Sequence, residues 1–194
     1  KASVEKLKFE PDLRADYSSP VRAHEEMHPV SMNRLADGTL IYDFGQNFAG
    51  VVKLRIRGRK GQVVTVKHAE ILNKDGSLNV KFLRSAKAAA IYTCRDGEQE
   101  YSPRLTYMGF RYVSVTGIGQ EDVEVSALAL YSDIKEIGEF ECSDERINRL
   151  QKNILWSSKS NFVEIPTDCP QRDERMGWTG DIAVFVPTAC FNDR

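Results

Sequence analysis

The sequence contains no run approaching the roughly 20 apolar residues of a membrane-spanning helix, which excludes a transmembrane helix. It also lacks a dominant charge: 27 Lys and Arg stand against 28 Asp and Glu, a formal net charge of −1. No basic footprint is left over to grip nucleic acid or an anionic membrane, so neither partner is expected. Cysteine is scarce and unpaired in spacing. Cys94, Cys142, Cys169 and Cys190 form no C-x-x-C and no Cys/His pair of ligand spacing, so a structural zinc site is not expected. Buried free thiols are the simplest reading of them. His24, His28 and His68 are scattered and mark no site. A secretory leader is missing as well. However, the chain begins at Lys1 and ends at Arg194 without natural-looking termini, so it reads as a segment of a longer protein whose location stays open.

What is present is an ordinary globular composition, 41% hydrophobic and 28% charged, which excludes a disordered chain. Residues 1–29 are polar and divided by Pro11, Pro20 and Pro29, a linker with an edge strand near 21–25. From residue 30 the pattern becomes short alternating segments. A strand at 39–44 follows the turn signal Asp37-Gly38, and 45–50 interrupts it as a tight turn braced by the amides of Gln46 and Asn47. Residues 51–57 then alternate Val51, Lys53, Arg55 and Arg57 against Val52, Leu54 and Ile56, a half-buried strand. Further strands are expected at 62–70, 90–94, 98–101, 111–116 and 123–132, with one helical turn at 85–90. Strands at this spacing, separated by turn signals, predict an antiparallel β-sandwich over 30–132. Alternation through 110–115 places Tyr107, Phe110 and Tyr112 in the core and between strands rather than on a sugar-binding platform.

Past residue 132 the periodicity changes. Ser143 is a candidate N-cap, with Asp144 and Glu145 suited to the first turn. Ile147, Leu150, Ile154 and Leu155 carry a helix to about residue 160. A second helix at 181–189 is apolar on nearly every side, and Pro187 should end or bend it. Such a helix needs helical neighbours to bury it, so 133–194 reads as an incomplete helical domain.

Between these helices lies the stretch 161–181, where Glu164, Asp168, Asp173, Glu174 and Asp181 are interleaved with Arg172 and Arg175 and followed by Trp178. Pro166 and Pro170 stiffen the backbone on both sides of Asp168. Acidic and basic side chains in a loop before a helix are commonly solvated or paired, and Asp181 can simply favour a helix N-terminus. Trp178 adds a large apolar face among the carboxylates. Sugar sites need that combination: carboxylates accept bonds from hydroxyl groups, and an aromatic ring covers the C–H face. Glycoside hydrolysis further requires one carboxylic acid to protonate the leaving oxygen and a second carboxylate acting on water or the anomeric carbon. Cys169 has no histidine partner in the stretch and is not a candidate nucleophile.

The string Pro166-Thr-Asp-Cys-Pro-Gln-Arg-Asp-Glu-Arg-Met-Gly-Trp-Thr-Gly-Asp181 resembles the active-site segment of bacterial α-L-rhamnosidases of glycoside hydrolase family 78. Asp43-Phe-Gly-Gln-Asn-Phe-Ala-Gly50, His68-Ala-Glu70 and Tyr107-Met-Gly-Phe-Arg-Tyr112 resemble the β-domain that precedes the barrel in that family. The resemblance covers roughly residues 20–194. It implies a mostly β chain: an antiparallel β-sandwich followed by the first helices of a truncated (α/α)6 barrel. It implies an inverting glycosidase that releases terminal α-L-rhamnose, with Glu174 as general acid and the base lying beyond the C-terminus of this chain, so that the segment alone is inactive. Asp168 and Asp181 match carboxylates that hold the rhamnose hydroxyls, and Trp178 matches a wall of the sugar pocket. Arg172 and Asp173 fall within the same motif as candidate substrate-binding residues. The implied partners are a rhamnose-containing glycan or glycoside and the remainder of the barrel, with no metal and no cofactor. Two other readings stay open: a different (α/α)6 glycosidase, and a non-catalytic carbohydrate-binding β-sandwich module.

Overall fold

In the structure, a computed structural model, residues 3, 5–6 and 8–193 are described. The expected linker at residues 1, 2, 4 and 7, and the end of the helical region at 194, lie outside the described residues. Alternating sequence produces strands β1 (Val21–Met27), β2 (Ser31–Arg34), β3 (Leu40–Gly58), β4 (Val63–Ala69), β5 (Ala89–Thr93), β6 (Gly97–Tyr101), β7 (Met108–Thr116) and β8 (Val123–Ser132). Among the described residues these form one eight-stranded sheet in the order β1-β8-β3-β7-β4-β5, with β2 and β6 also paired to β3. All the pairings are antiparallel. The expected antiparallel β fold is present, with β1 at an edge.

The long strand β3 curls the sheet. Its first part pairs with β2 and β7, and its last part runs between β8 and β6. Both parts face one core, which holds Phe44, Phe48, Leu54, Val64, Phe110, Val113, Val125 and Ala127. Phe48 and Phe110 pack with ring centroids 4.7 Å apart and Phe44 meets Phe110 edge-on at 5.7 Å. Burying each such side chain stabilises the fold by about 1.5–3 kcal/mol.

Residues 45–50 are not the separate turn expected from their composition; they continue β3. The register with β7 slips between Asp43 and Phe48, and Gly45 has φ of 73°, a conformation glycine adopts without penalty. Asp43 pins this bulge. Its carboxylate accepts Arg111 Nε and Nη2 at 2.7 and 2.8 Å and the Gly45 N–H at 2.7 Å. The Arg111 bonds hold the Asp43 carboxyl below the usual range, against the opposing effect of burial. The helical turn expected at 85–90 is instead a short 3-10 turn at Lys81–Leu83, and Ala89 already belongs to β5.

After β8 come α1 (Glu145–Asn161), the short strands β9 (Phe162–Val163) and β10 (Ile165–Pro166), and α2 (Thr179–Asn192). Asp144, not Ser143, caps α1, because its side chain accepts the Arg146 N–H at 2.9 Å. The face of α1 that meets the sheet is also not the apolar stripe read from spacing. Trp156 packs on Phe48 with ring centroids 6.4 Å apart, and Ser160 Oγ accepts the Ala49 N–H at 3.2 Å, whereas Ile147 and Leu150 are exposed. Pro187 does not end α2, which runs on to Asn192. The proline forfeits only its own donor to the preceding turn, and the residues on both sides keep helical geometry. Val184, Val186 and Phe191 of this apolar helix are exposed.

Candidate active site

The stretch 161–181 is held as a clasped loop on the edge of the β-domain. Glu164, with φ of 71°, makes the tight turn between β9 and β10, and its N–H donates to Ser132 Oγ at 2.8 Å. Next, Asp168 closes the neck of the loop. Its N–H donates to the Met176 carbonyl at 3.1 Å, and its Oδ1 accepts the Met176 N–H at 2.7 Å. The far side of the loop lies on β7. A Cβ at Gly109 would come within 2.7 Å of Pro170 Cγ and 2.9 Å of Gln171 N, so only glycine lets the loop dock this closely. Arg175 completes the attachment: Nη1 donates to the Tyr107 carbonyl at 2.8 Å, and the guanidinium sits 4.6 Å from the centroid of the Tyr107 ring.

The upstream motifs therefore converge beneath the loop. Phe110 is fully buried under His68, Asn47 Nδ2 donates to Glu70 Oε1 at 2.9 Å, and Gln46, Asn47 and Glu70 line one pocket with residues 168–172. Tyr107, Phe110 and Tyr112 form no common platform: Phe110 is core, Tyr107 is the seat of Arg175, and Tyr112 lies beside Arg111.

A cavity of about 190 Å³ opens between the end of α1, the β9–β10 hairpin and the start of α2. Asp168, Trp178 and Asp181 all line it, together with Ser157, Asn161 and Phe185. Trp178 stands at the N-cap position of α2 and Asp181 in its first turn, where the helix dipole also favours a carboxylate. Asn161 Oδ1 is buried without a hydrogen-bond partner among the described residues.

Glu174 does not line this cavity and is tied to it only through Trp178, whose indole N–H donates to Glu174 Oε1 at 2.9 Å. Its other oxygen, Oε2, accepts Arg172 Nη2 at 3.0 Å and Arg84 Nη1 at 2.8 Å. Arg172 also reaches Asp168 Oδ2 at 3.3 Å, so its guanidinium occupies the place between two carboxylates that a cation would otherwise take. Asp173 points elsewhere. Its carboxylate accepts both the backbone N–H and the hydroxyl of Ser85, and it is absent from the cavity lining. The contacts of Arg84 and Ser85 with the loop left no mark in the sequence pattern, because pairs 90 and 88 residues apart leave no local signal.

Burial pushes the Asp168 carboxyl up, but hydrogen bonds from the Cys169 thiol, the Met176 N–H and Arg172 outweigh it and hold it below the usual range. It is therefore a carboxylate near neutral pH. The same environment raises the Cys169 thiol, first through burial and then through its bond to Asp168. It stays protonated and is a donor, not a nucleophile. Asp173 is lowered chiefly by the Ser85 hydroxyl.

The curled β-domain thus braces an acidic, indole-walled cavity between α1 and α2. The family model described as bacterial alpha-L-rhamnosidase concanavalin-like domain matches residues 33–131, and that of the bacterial alpha-L-rhamnosidase 6 hairpin glycosidase domain matches residues 135–194. The chain belongs to the bacterial alpha-L-rhamnosidase family. It is 42% identical over 180 residues to an alpha-L-rhamnosidase of Streptomyces avermitilis, covering 91% of this chain and 18% of that protein. The solved structure of the Streptomyces avermitilis alpha-L-rhamnosidase complexed with L-rhamnose superposes with a TM-score of 0.88 at 41% identity, covering 91% of this chain and 17% of that one. An alpha-L-rhamnosidase from Dictyoglumus thermophilum gives 0.87 at 40% identity, covering 92% and 21%. The chain thus spans about a fifth of the length of the curated relatives it matches.

Proposed function

We propose that this chain serves, within a protein of its relatives' length, as the acid half of an inverting glycosidase that releases terminal α-L-rhamnose. The observation that carries this reading is the joint placement of Asp168, Trp178 and Asp181 around one small cavity, with Glu174 bonded to its indole wall. In this reading the two carboxylates accept bonds from the sugar hydroxyls and Trp178 covers the apolar face of the ring. Asp168 accepts from Met176 at one oxygen, from Arg172 at the other and from the Cys169 thiol, which leaves one lone pair for a hydroxyl. Asn161 Oδ1, buried and unpartnered, is a further acceptor beside the same space. Glu174 donates its proton to the glycosidic oxygen as the bond to the anomeric carbon breaks, and the donors at its two oxygens then meet the charge left behind.

Inversion needs a second carboxylate about 6.5–9.5 Å from the acid, with water between it and the ring. Asp168 does not fit that role, since its ligand oxygen and that of Glu174 lie within 4.8 Å of each other with Arg172 bonded to both. The base belongs to another hairpin of the helical domain, and this chain alone is expected to be inert. Substrate class is tested by comparing aryl α-L-rhamnosides, β-D-glucosides and β-D-glucuronides on the full-length enzyme. Rhamnoside turnover well above the other two is expected. Preference for a glucoside or glucuronide would replace rhamnose with another sugar, and turnover of none would leave a binding module.

A further inference from the structure

We propose that Arg84, a residue of the β-domain, is a positioning residue for Glu174, so that the β-domain forms part of the catalytic centre and is more than its support. This rests on the reading of Glu174 as the acid. Three donors fix the Glu174 carboxyl: Arg172 and Trp178 from its own loop, and Arg84, which reaches Oε2 at 2.8 Å. The reach is built into the backbone. Arg84 follows the 3-10 turn Lys81–Leu83 and has φ of 53° and ψ of −118°, outside the wells that non-glycine residues favour. Buried Leu83 holds one side of it, and the Ala88 carbonyl, which accepts from both the N–H and the ring Nδ1 of His68, holds the other. Adjacent residues of this turn grip adjacent residues of the acidic loop: Ser85 binds Asp173 as Arg84 binds Glu174.

The exposure of the pair decides what it is for. Arg84 is 57% exposed, and an ion pair so open to water adds little to stability. Its effect is geometric. With Oε2 held by Arg84 and Arg172, Oε1 is left bonded to Trp178, which lines the cavity together with Asp168 and Asp181. Oε1 is then the atom that carries the proton to the glycosidic oxygen. Loss of Arg84 leaves Oε2 with Arg172 alone and loosens the carboxyl, and misplacing an acid by about 1 Å lowers the rate by as much as 10²-fold.

The test compares Arg84→Ala, Arg84→Lys and Glu174→Gln in the full-length enzyme, using an alkyl rhamnoside that needs acid assistance and a nitrophenyl rhamnoside that needs little. For Arg84→Ala, kcat on the alkyl substrate is expected to fall about 10- to 100-fold at unchanged KM, with little change on the nitrophenyl substrate and in the thermal midpoint. Lysine keeps the charge without the planar fork and should restore part of the loss. Equal losses on both substrates, or none, with Glu174→Gln still selective for the alkyl substrate, would overturn the role of Arg84 and leave the acid assignment standing. A Glu174→Gln variant without that selectivity would remove the acid assignment and this inference together.

Discussion

Glu174→Gln is expected to reduce kcat/KM of the full-length enzyme on alkyl α-L-rhamnosides by about 10²- to 10⁴-fold, the usual contribution of a positioned acid. The amide keeps the shape of the carboxylate and can still accept from Trp178 through its oxygen, but it has no proton to deliver to the leaving group. A nitrophenolate leaves without assistance, so activity on nitrophenyl rhamnoside should fall far less. The substitution also replaces an acceptor of two guanidinium bonds with a group whose NH2 end cannot accept them. Some loss of order at Arg84 and Arg172 is therefore expected on either substrate, and the ratio between substrates is the informative quantity. Equal losses on the two would show that Glu174 organises the loop without acting as its acid.

The second large effect concerns stability at low pH and centres on His68. The side chain is 1% exposed, packs on the Phe110 ring and uses Nδ1 as donor to the Ala88 carbonyl at 2.8 Å, leaving Nε2 buried without a partner among the described residues. Burial lowers its pKa from 6.5 to about 4, with the Ala88 bond opposing. Between those values the unfolded chain binds the proton and the folded chain does not, so stability rises with pH across that window. The contribution is complete above about pH 6.5 and lost as pH falls toward about 4, a change of about 3 kcal/mol for a shift of this size. His68→Asn retains a donor near the Nδ1 position but cannot titrate. Denaturant unfolding at pH 7 and pH 4.5 should therefore show a smaller pH-dependent loss in this variant than in the unsubstituted protein. Equal losses in both would mean that His68 titrates alike in the folded and unfolded states.

How far the sequence revealed this arrangement depended on how local each signal was. Residues 51–57 were legible because every second side chain enters the core, and Phe110 was legible as core for the same reason. The continuation of β3 through 45–50 was not. A bulge made of Gly45, Gln46 and Asn47 has the composition of a turn, and only the long-range Arg111–Asp43 pair distinguishes them. Pro187 likewise carries a stop signal that α2 overrides by giving up a single backbone donor.

In the site, residue types in one short stretch pointed to carboxylates beside an indole, and the structure groups Asp168, Trp178 and Asp181 around one cavity. The same spacing could not distinguish Asp173, which faces Ser85, from Glu174, which faces Trp178, although they are neighbours. Nor could it bring Arg84 into the cluster, because that contact depends on the whole curled sheet delivering one turn to the loop.

The most direct test of the site is a crystal structure of the full-length Glu174→Gln enzyme with a rhamnoside bound. The sugar is expected in the cavity between Asp168, Trp178 and Asp181, with carboxylate oxygens about 2.5–3.0 Å from its hydroxyls, the indole against its apolar face, and the glycosidic oxygen beside residue 174. A rhamnoside bound at saturation on another surface, with this cavity holding only water, would contradict the assignment of residues 161–181 as the catalytic segment.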